Sequence, residues 1–141
     1  MLDHGFVRLD DAMASDLSVV NGARVSFARR KEELDDSDAG LIRFLMRERH
    51  GTPFEHNAFR FHIRCPIFVA REVARSVLPV GAYTEFYWTV NARSLMNFVS
   101  LRASETAQRE IRRYAEPVEH FLEQQMPVTH AAFVAGGRRA P

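Results

Sequence analysis

The sequence predicts an α+β fold in a single domain, with a mixed sheet packed with long helices. The apolar spacing changes between the helical period and the strand period along the chain. These segments do not alternate as regular βαβ units, which argues against a parallel α/β sheet. A length of 141 residues suits one domain with a real core, and no internal repeat is present. We therefore expect residues 1–141 to form one domain.

The first half of the chain reads as a strand followed by two helices. Gly5–Leu9 fits a short opening strand, and ASDLSVVNGARVSF fits a helix with Ser15 or Asp16 as its N-cap. A charged loop leads to the helical stripe of AGLIRFLMRERH. We expect Asp38 to cap this helix and His50–Gly51 to end it.

The middle of the chain changes from helical to strand periodicity. In AFRFHIRC, charged or imidazole side chains alternate with apolar ones, which predicts one buried face: Phe59, Phe61, Ile63 and Cys65. IFVAREVARSVL then reads as a helix that Pro79 and Gly81 end. Tyr83–Val90 has the aromatic and β-branched content of a second strand.

The last third of the chain is predicted to be helical. TVNARSLMNFVSLR winds into a helix with Arg93, Asn97 and Ser100 on one side. A second helix is expected from about Ser104 to Met126, kinked by Pro117. The tail AGGRRAP is expected to be loose.

The overall charge balance does not call for a charged partner. Nineteen Lys and Arg residues face eighteen Asp and Glu residues, a net charge of +1, so neither a nucleic acid nor a membrane is expected as a partner. Nearly all positive charge is arginine, which binds phosphate and carboxylate well, although GC-rich coding explains the same bias. MLDHGFVRLDD lacks a signal pattern and no apolar run could span a bilayer, which predicts a cytoplasmic protein.

The histidines and the single cysteine do not form a recognisable reactive site. Six histidines are present, but no HxxxH or CxxC spacing occurs, so no metal site is predicted. Cys65 is the only cysteine and lies on the apolar face of its strand, where an inert packed thiol is expected rather than a nucleophile.

Arg102 is the most informative charge in the sequence. It falls on the apolar side of its helix, beside Leu95 and Phe98. A charged group in that position must form an ion pair, be hydrogen-bonded, or reach solvent at the end of its extended aliphatic chain. An anion-binding role and a structural role at the helix C-terminus fit the pattern equally well.

Long stretches of the chain resemble the flavin-dependent thymidylate synthases. The resemblance lies in HGTPFEHNAFRFHIRCPIFVAR, in REVARSVLPVGAYTEFYWTVNARSLMNFVSLRASETAQREIRRYA and in the flanking DDAMASDLSVVNGARVSF and MPVTHAAF. It implies methylation of dUMP to dTMP, with methylenetetrahydrofolate as carbon donor, FAD as cofactor and NADPH as reductant. It also implies homotetramers whose active sites form where subunits meet.

The resemblance also implies roles for single residues. FAD would be contacted by five residues: Ser26, His50, Thr52, Asn91 and Asn97. Arg75 and Arg102 would contact dUMP, and Arg102 would act in catalysis by facing inward toward a phosphate or the uracil edge. Arg93, on the other side of its helix, would serve packing or a subunit contact.

One family segment is missing from the sequence. The signature RHRxxSxNExSxRY should follow PIFVAR, yet PIFVAR runs directly into EVARSVLP, with a junction near residues 70–71. A truncated natural chain, a deliberate deletion and a longer chain with its middle omitted all fit this arrangement. The alternative to an enzyme is therefore a non-catalytic remnant that oligomerises and still binds FAD or nucleotide.

Overall fold

A three-stranded antiparallel sheet lies at the centre of the computed structural model, which describes residues 4–25, 30–66 and 83–141. The strands pair in the order β1 (Phe6–Met13), β2 (Ala58–Pro66) and β3 (Tyr83–Asn91). The helices of the described residues are α1 (Asp16–Arg24), α2 (Asp36–Arg47), α3 (Thr52–Glu55), α4 (Ala92–Arg102), α5 (Arg109–Gln125) and α6 (Pro127–Ala135). The predicted α+β class in a single domain is confirmed.

The central strand β2 has the two faces that its sequence predicts. All four alternating residues, Phe59, Phe61, Ile63 and Cys65, are buried. Arg60 lies on the opposite face, where its Nε donates to Asp10 Oδ2 at 2.6 Å. The alternation could be predicted because a strand with one solvent-exposed face places every second side chain in the core.

Helices α4 and α5 cover the apolar face of the sheet. Their buried residues are Ala92, Leu95, Met96 and Val99 from α4, and Tyr114, Ala115, Val118 and Leu122 from α5. The Phe61 ring lies 5.8 Å from the Trp88 ring and 6.1 Å from the Phe121 ring, between centroids. The core is therefore a sheet-on-helix layer, which fixes the start of α4 against β2 and β3.

The element boundaries in the first half differ from the predicted ones. Strand β1 runs on to Met13, because its pairing with β2 continues past a register shift between Leu9 and Asp11. Ser15 is the N-cap of α1, as predicted. Asp35 rather than Asp38 caps α2, and Asp38 occupies the third position of a capping box.

The C-terminal region is more ordered than the sequence predicts. Helix α5 begins at Arg109, five residues after the expected start, and runs through Pro117. Helix α6 was not predicted, because Pro127 was not recognised as the first residue of a new helix. The tail is not loose: Pro141 is buried, and the Ser100 hydroxyl donates to the carbonyl of Arg138 at 2.5 Å.

The connection between β2 and β3 joins two neighbouring strand ends. Pro66 and Tyr83 are partners in the register of the sheet. The helix predicted over IFVAREVARSVL, and the junction near residues 70–71, lie outside the described residues. None of the helices in the described ranges is both long and apolar enough to cross a lipid bilayer.

Candidate functional site

A tight turn after α2 holds His50 and Thr52. The helix ends at Arg47, and Arg49 then adopts a left-handed backbone with φ 58°, rather than the expected His50–Gly51 stop. The His50 N–H donates to the carbonyl of Leu45 at 2.9 Å. Both His50 and Thr52 are exposed, so the turn presents them to solvent beside the sheet.

Gly51 lets this turn approach the first residues of α4. A Cβ at position 51 would lie 2.5 Å from Arg93 Nε, so any larger residue would push the guanidinium away. Arg93 NH1 donates to Glu55 Oε1 at 2.8 Å, and its Nε donates to the carbonyl of Pro141 at 2.9 Å. Within the single chain Arg93 therefore makes packing contacts that join the turn, α4 and the tail. A subunit contact, the other role expected for it, stays a prediction.

Asn57 is a buried residue that holds neighbouring segments in place, and this role was not predicted from the sequence. Its side-chain oxygen accepts from the Ser15 N–H at 3.0 Å, and its amide donates to the carbonyl of Pro53 at 3.3 Å. Its own carbonyl accepts from the Ala92 N–H at 2.8 Å. These bonds connect α1, α3 and α4. The only feature of the sequence that could have indicated this role is the position of an amide residue directly before a strand.

Asn91 and Asn97 occupy different environments on α4. Asn91 is the N-cap, and its Oδ1 accepts from the Ser94 N–H at 2.8 Å, while its NH2 group makes no hydrogen bond within the described residues. Asn97 is exposed and lines an open depression of about 460 Å³ with Arg49, Arg93 and Ser94. The structure thus brings Asn97 close to the residues that flank His50.

Arg102 does not point into the interior. It is exposed at the last position of α4, so the expected inward orientation is wrong for the single chain. The helical wheel placed it correctly relative to Leu95, but the buried stripe of α4 ends at Val99 because the last turn extends past the core. Arg102 and Asn91 lie at opposite ends of the helix, about 16 Å apart along its axis.

The remaining predicted site residues lie outside the described ranges. Ser26 falls in residues 26–29, and Arg75 falls in residues 67–82. Their predicted roles toward FAD and dUMP stay predictions. No group of three or more His, Cys, Asp and Glu side chains in the described parts of the chain has the geometry of a metal site.

Cys65 is a packed thiol, as the sequence predicts. It is 1% exposed, and burial raises its pKa to about 11. The thiol is therefore protonated at neutral pH and shielded from reagents, which are the properties of a structural cysteine.

Comparison with known proteins decides the family. The profile described as "Thymidylate synthase complementing protein" matches residues 8–73 and 68–128. A flavin-dependent thymidylate synthase of Thermotoga neapolitana is 35% identical over 201 residues, which covers 95% of this chain and 93% of the relative. The chain belongs to the flavin-dependent thymidylate synthase family. A Thermosipho africanus member is 32% identical over 212 residues, with 95% and 92% covered.

A solved structure with a nucleotide analogue has the same fold as this family member. It is the UMP/dUMP methylase PolB from Streptomyces cacaoi, bound with 5-Br dUMP. The TM-score is 0.87 at 33% identity, and 97% of each chain is covered. The relatives named here are thus enzymes, thymidylate synthases and a UMP/dUMP methylase, and this chain keeps the architecture of the solved one.

The comparisons are compatible with the missing central segment. The alignment to the Thermotoga enzyme runs over 201 positions, whereas this chain has 141 residues, so a large block of aligned positions has no counterpart here. The two segments matched by the family profile overlap at residues 68–73. A connection between the paired ends Pro66 and Tyr83 can change in length at little cost, because loop-closure entropy varies only slowly with loop length.

Proposed function

We propose that this chain is a FAD-dependent thymidylate synthase that methylates dUMP to dTMP. Methylenetetrahydrofolate is the carbon donor, NADPH is the reductant, and the reaction belongs to cytoplasmic dTMP biosynthesis. The observation that supports this proposal best is the match along 95% of the chain to a flavin-dependent thymidylate synthase.

The described residues fit the polar part of a flavin dinucleotide. Asn97, Arg49 and Arg93 line the 460 Å³ depression. Their amide and guanidinium groups carry N–H donors, although Arg93 Nε and NH1 already bond to Pro141 and Glu55. Phosphate and ring carbonyl oxygens are acceptors that such donors bind. When bound, the flavin supplies the hydride for the reaction. In this proposal His50, Thr52, Asn91 and Ser26 complete the FAD contacts.

The arginines act on the nucleotide by electrostatics. Arg102 contacts the uracil edge and stabilises the negative charge that develops on the ring, as a fixed cation does in a site shielded from water. Arg75 binds the dUMP phosphate as a bidentate donor. Because Arg102 is exposed in one chain, this role requires a second surface to shield it from water.

Self-association supplies that second surface. Asn91 and Arg102 mark opposite ends of α4, so one chain does not enclose both. We propose that the chain forms a homotetramer in which neighbouring copies complete each active site. The apolar side chain of Leu101, next to Arg102 in the last turn of α4, is 58% exposed, which supports a surface that other copies cover.

The missing central block favours a second candidate function. The sequence lacks the signature segment that the family resemblance assigns to dUMP and FAD contacts. The second candidate is a non-catalytic remnant that oligomerises and retains FAD or nucleotide. It keeps the sheet and the helices packed on it but lacks the residues that the missing segment contributes to the site.

Flavin absorbance and turnover separate the two candidates. We expect purified protein loaded with FAD to be yellow and to oxidise NADPH in a dUMP-dependent manner when methylenetetrahydrofolate is present. Arg102→Ala should lower this turnover by about 100-fold or more, whereas Arg113→Ala, an exposed residue of α5, should not change it. A yellow protein without turnover supports the remnant instead, and a protein that binds neither flavin nor dUMP contradicts both.

A further inference from the structure

The C-terminal tail lies along the polar side of α4. The Ser100 hydroxyl is 2.5 Å from the carbonyl oxygen of Arg138, and Arg93 Nε donates to the carbonyl of Pro141 at 2.9 Å. Ser100 and Arg93 are about 10 Å apart along the helix axis, a distance that the chain from Arg138 to Pro141 can span. The sequence placed Arg93, Asn97 and Ser100 on one side of this helix, and the tail contacts that side at both ends.

A Schellman motif at the end of α6 gives the tail this direction. The Arg138 N–H donates to the carbonyl of Phe133 at 2.9 Å, and the Gly137 N–H donates to that of Val134 at 3.0 Å, which is the bonding pattern of the motif. Gly137 has the left-handed backbone that the motif requires, with φ 71°. Arg138 follows with φ 54°, a conformation that costs energy for a residue with a side chain, so other contacts must hold it there.

Two side chains outside the tail hold Arg138. The Glu119 side chain of α5 is only 15% exposed, and its Oε1 accepts from Arg138 Nε at 3.0 Å and lies 3.1 Å from His130 Nε2. Ser100 contacts the main chain of Arg138, and its hydroxyl hydrogen is shared with the carbonyl of Met96, 2.9 Å away in its own helix. A charge-assisted bond to the side chain and a bond to the main chain therefore fix Arg138.

The end of the tail forms one wall of the depression beside Asn97. Ala140 and Pro141 line this depression together with Arg93 and Asn97. Pro141 is buried, and its carbonyl and the Glu55 carboxylate engage two of the three nitrogens of the Arg93 guanidinium. The third nitrogen makes no hydrogen bond within the described residues. The position of this guanidinium therefore depends on the tail.

We propose that Ser100 and Glu119 are positioning residues for the flavin, and this assignment rests on the proposed function. Neither residue lines the depression, so each acts through the tail. They hold Arg138, the tail places the Pro141 carbonyl against Arg93, and the guanidinium keeps its third nitrogen for a phosphate or ring carbonyl oxygen of FAD. A donor that is fixed before the ligand arrives binds more tightly, because less side-chain freedom is lost on binding.

The first test measures the affinity of variants of the full chain for FAD by calorimetry. Ser100→Ala/Glu119→Gln removes the hydroxyl and the carboxylate charge that hold Arg138. The matched control, Ser18→Ala/Glu116→Gln, makes the same two changes in α1 and α5, where these side chains make no hydrogen bond within the described residues. Ser100→Thr keeps a hydroxyl at the same position and tests rescue.

We expect the double variant to bind FAD at least about fivefold more weakly than the unchanged chain, and Ser100→Ala alone to bind it about twofold more weakly. The control and Ser100→Thr should bind FAD as the unchanged chain does. The urea midpoints of the double variant and the control should agree, which separates a positioning role from a loss of stability. Equal FAD affinity in the double variant and the control would overturn the proposal.

The second test follows the tail in the unchanged chain and needs no variant. Trypsin cleaves after arginine, and the tail contains Arg138 and Arg139. We expect saturating FAD to slow cleavage after these two residues several-fold, as measured by mass spectrometry of the products, because the bound flavin contacts the end of the tail. Cleavage of the tail that FAD does not slow would also overturn the proposal.

Failure of this proposal differs from failure of the proposed function. If FAD protects the tail and the double variant binds FAD weakly, but no dTMP forms, the proposed function fails and the positioning role stands. If dTMP forms while the double variant and the control bind FAD equally, the proposed function holds and the positioning role fails.

Discussion

Asp16 is a buried charge that serves a helix far away in sequence. Its carboxylate accepts from the Val128 and Thr129 N–H groups at 2.9 Å each and from the Thr129 hydroxyl at 2.6 Å. Helix α6 has no side-chain cap of its own, so Asp16 satisfies the donors at its first turn. The helix dipole favours a negative charge at the same place.

Asp16→Ala should therefore lower the free energy of unfolding by about 2–4 kcal/mol, because three donors, two of them buried, lose their acceptor. Urea denaturation followed by circular dichroism measures the change. Glu33→Gln, an exposed acid in the loop before α2, is the control and should change stability by less than about 0.5 kcal/mol. A loss for Asp16→Ala as small as that of the control would show that α6 does not depend on this carboxylate.

Burial of the Cys65 thiol makes the free energy of unfolding depend on pH in the alkaline range. Burial raises its pKa to about 11 from an ordinary 9.0, and burial raises the pKa of Tyr114 to about 12 from 10.0. Both groups hold their protons more tightly in the folded chain. Their contribution to the free energy of unfolding is fully present below about pH 9 and is lost as the pH rises through the pKa values of the folded chain.

We expect the urea midpoint to fall between pH 8.5 and pH 11, and Cys65→Ala to show a smaller fall over the same range. In the native protein at pH 8 the thiol should not react with a disulfide reagent, but it should react in urea. Rapid labelling of the native protein would contradict the packed position of Cys65.

The end of α2 shows how a helix stops without the expected glycine. The backbone leaves the helix after Arg47, and Arg49 takes the left-handed position that glycine usually fills. Arg49→Gly should change the free energy of unfolding by less than about 1 kcal/mol, or raise it, because relief of strain offsets the extra chain entropy. Arg47→Gly, inside the last turn, should lower it by roughly 1 kcal/mol. Thermal unfolding of both variants tests this, and a larger loss for Arg49→Gly would contradict it.

Elements with a local signature could be predicted from the sequence. Strand β2 could be predicted because alternate side chains of a strand lie on opposite faces of the sheet. Ser15 could be predicted as an N-cap because capping is a contact between residues close in sequence. Helix α6 was missed because its cap, Asp16, is more than one hundred residues away. Arg102 was oriented wrongly because a helical wheel shows which residues share a face, not where the core ends.

The candidate site could be predicted only in part for the same reason. The family resemblance predicted roles for His50, Thr52, Asn91, Asn97 and Arg102 from continuous strings of sequence, and these roles stay predictions. The approach of Gly51 to Arg93, the bonds of Asn57 and the depression beside Asn97 depend on segments distant in sequence. Local patterns do not contain such contacts.

Residues 4–25, 30–66 and 83–141 present apolar surface that they do not cover themselves. Strand β3 is an edge strand in the described sheet and has no fully buried residue. Phe86, Trp88 and Phe98 line an open depression of about 260 Å³ with the largely apolar side chains of β2 and α5. An exposed edge strand next to such surface favours association.

We expect light scattering to give a mass larger than that of one chain at micromolar concentration. Trp88→Lys should shift the distribution toward smaller species, whereas Glu116→Lys, an exposed change on α5, should not. A well-behaved monomer would contradict both the association and the proposed completion of the site by neighbouring copies.

The central proposal is that this shortened member of the family still methylates dUMP. The most direct measurement incubates the FAD-loaded protein with dUMP, NADPH and methylenetetrahydrofolate carrying ¹³C in the methylene group, and analyses the nucleotides by mass spectrometry. The account predicts dTMP with the labelled carbon in its methyl group, and loss of this product in Arg102→Ala. Unchanged dUMP after many enzyme equivalents of incubation, from protein that visibly binds flavin, would contradict it.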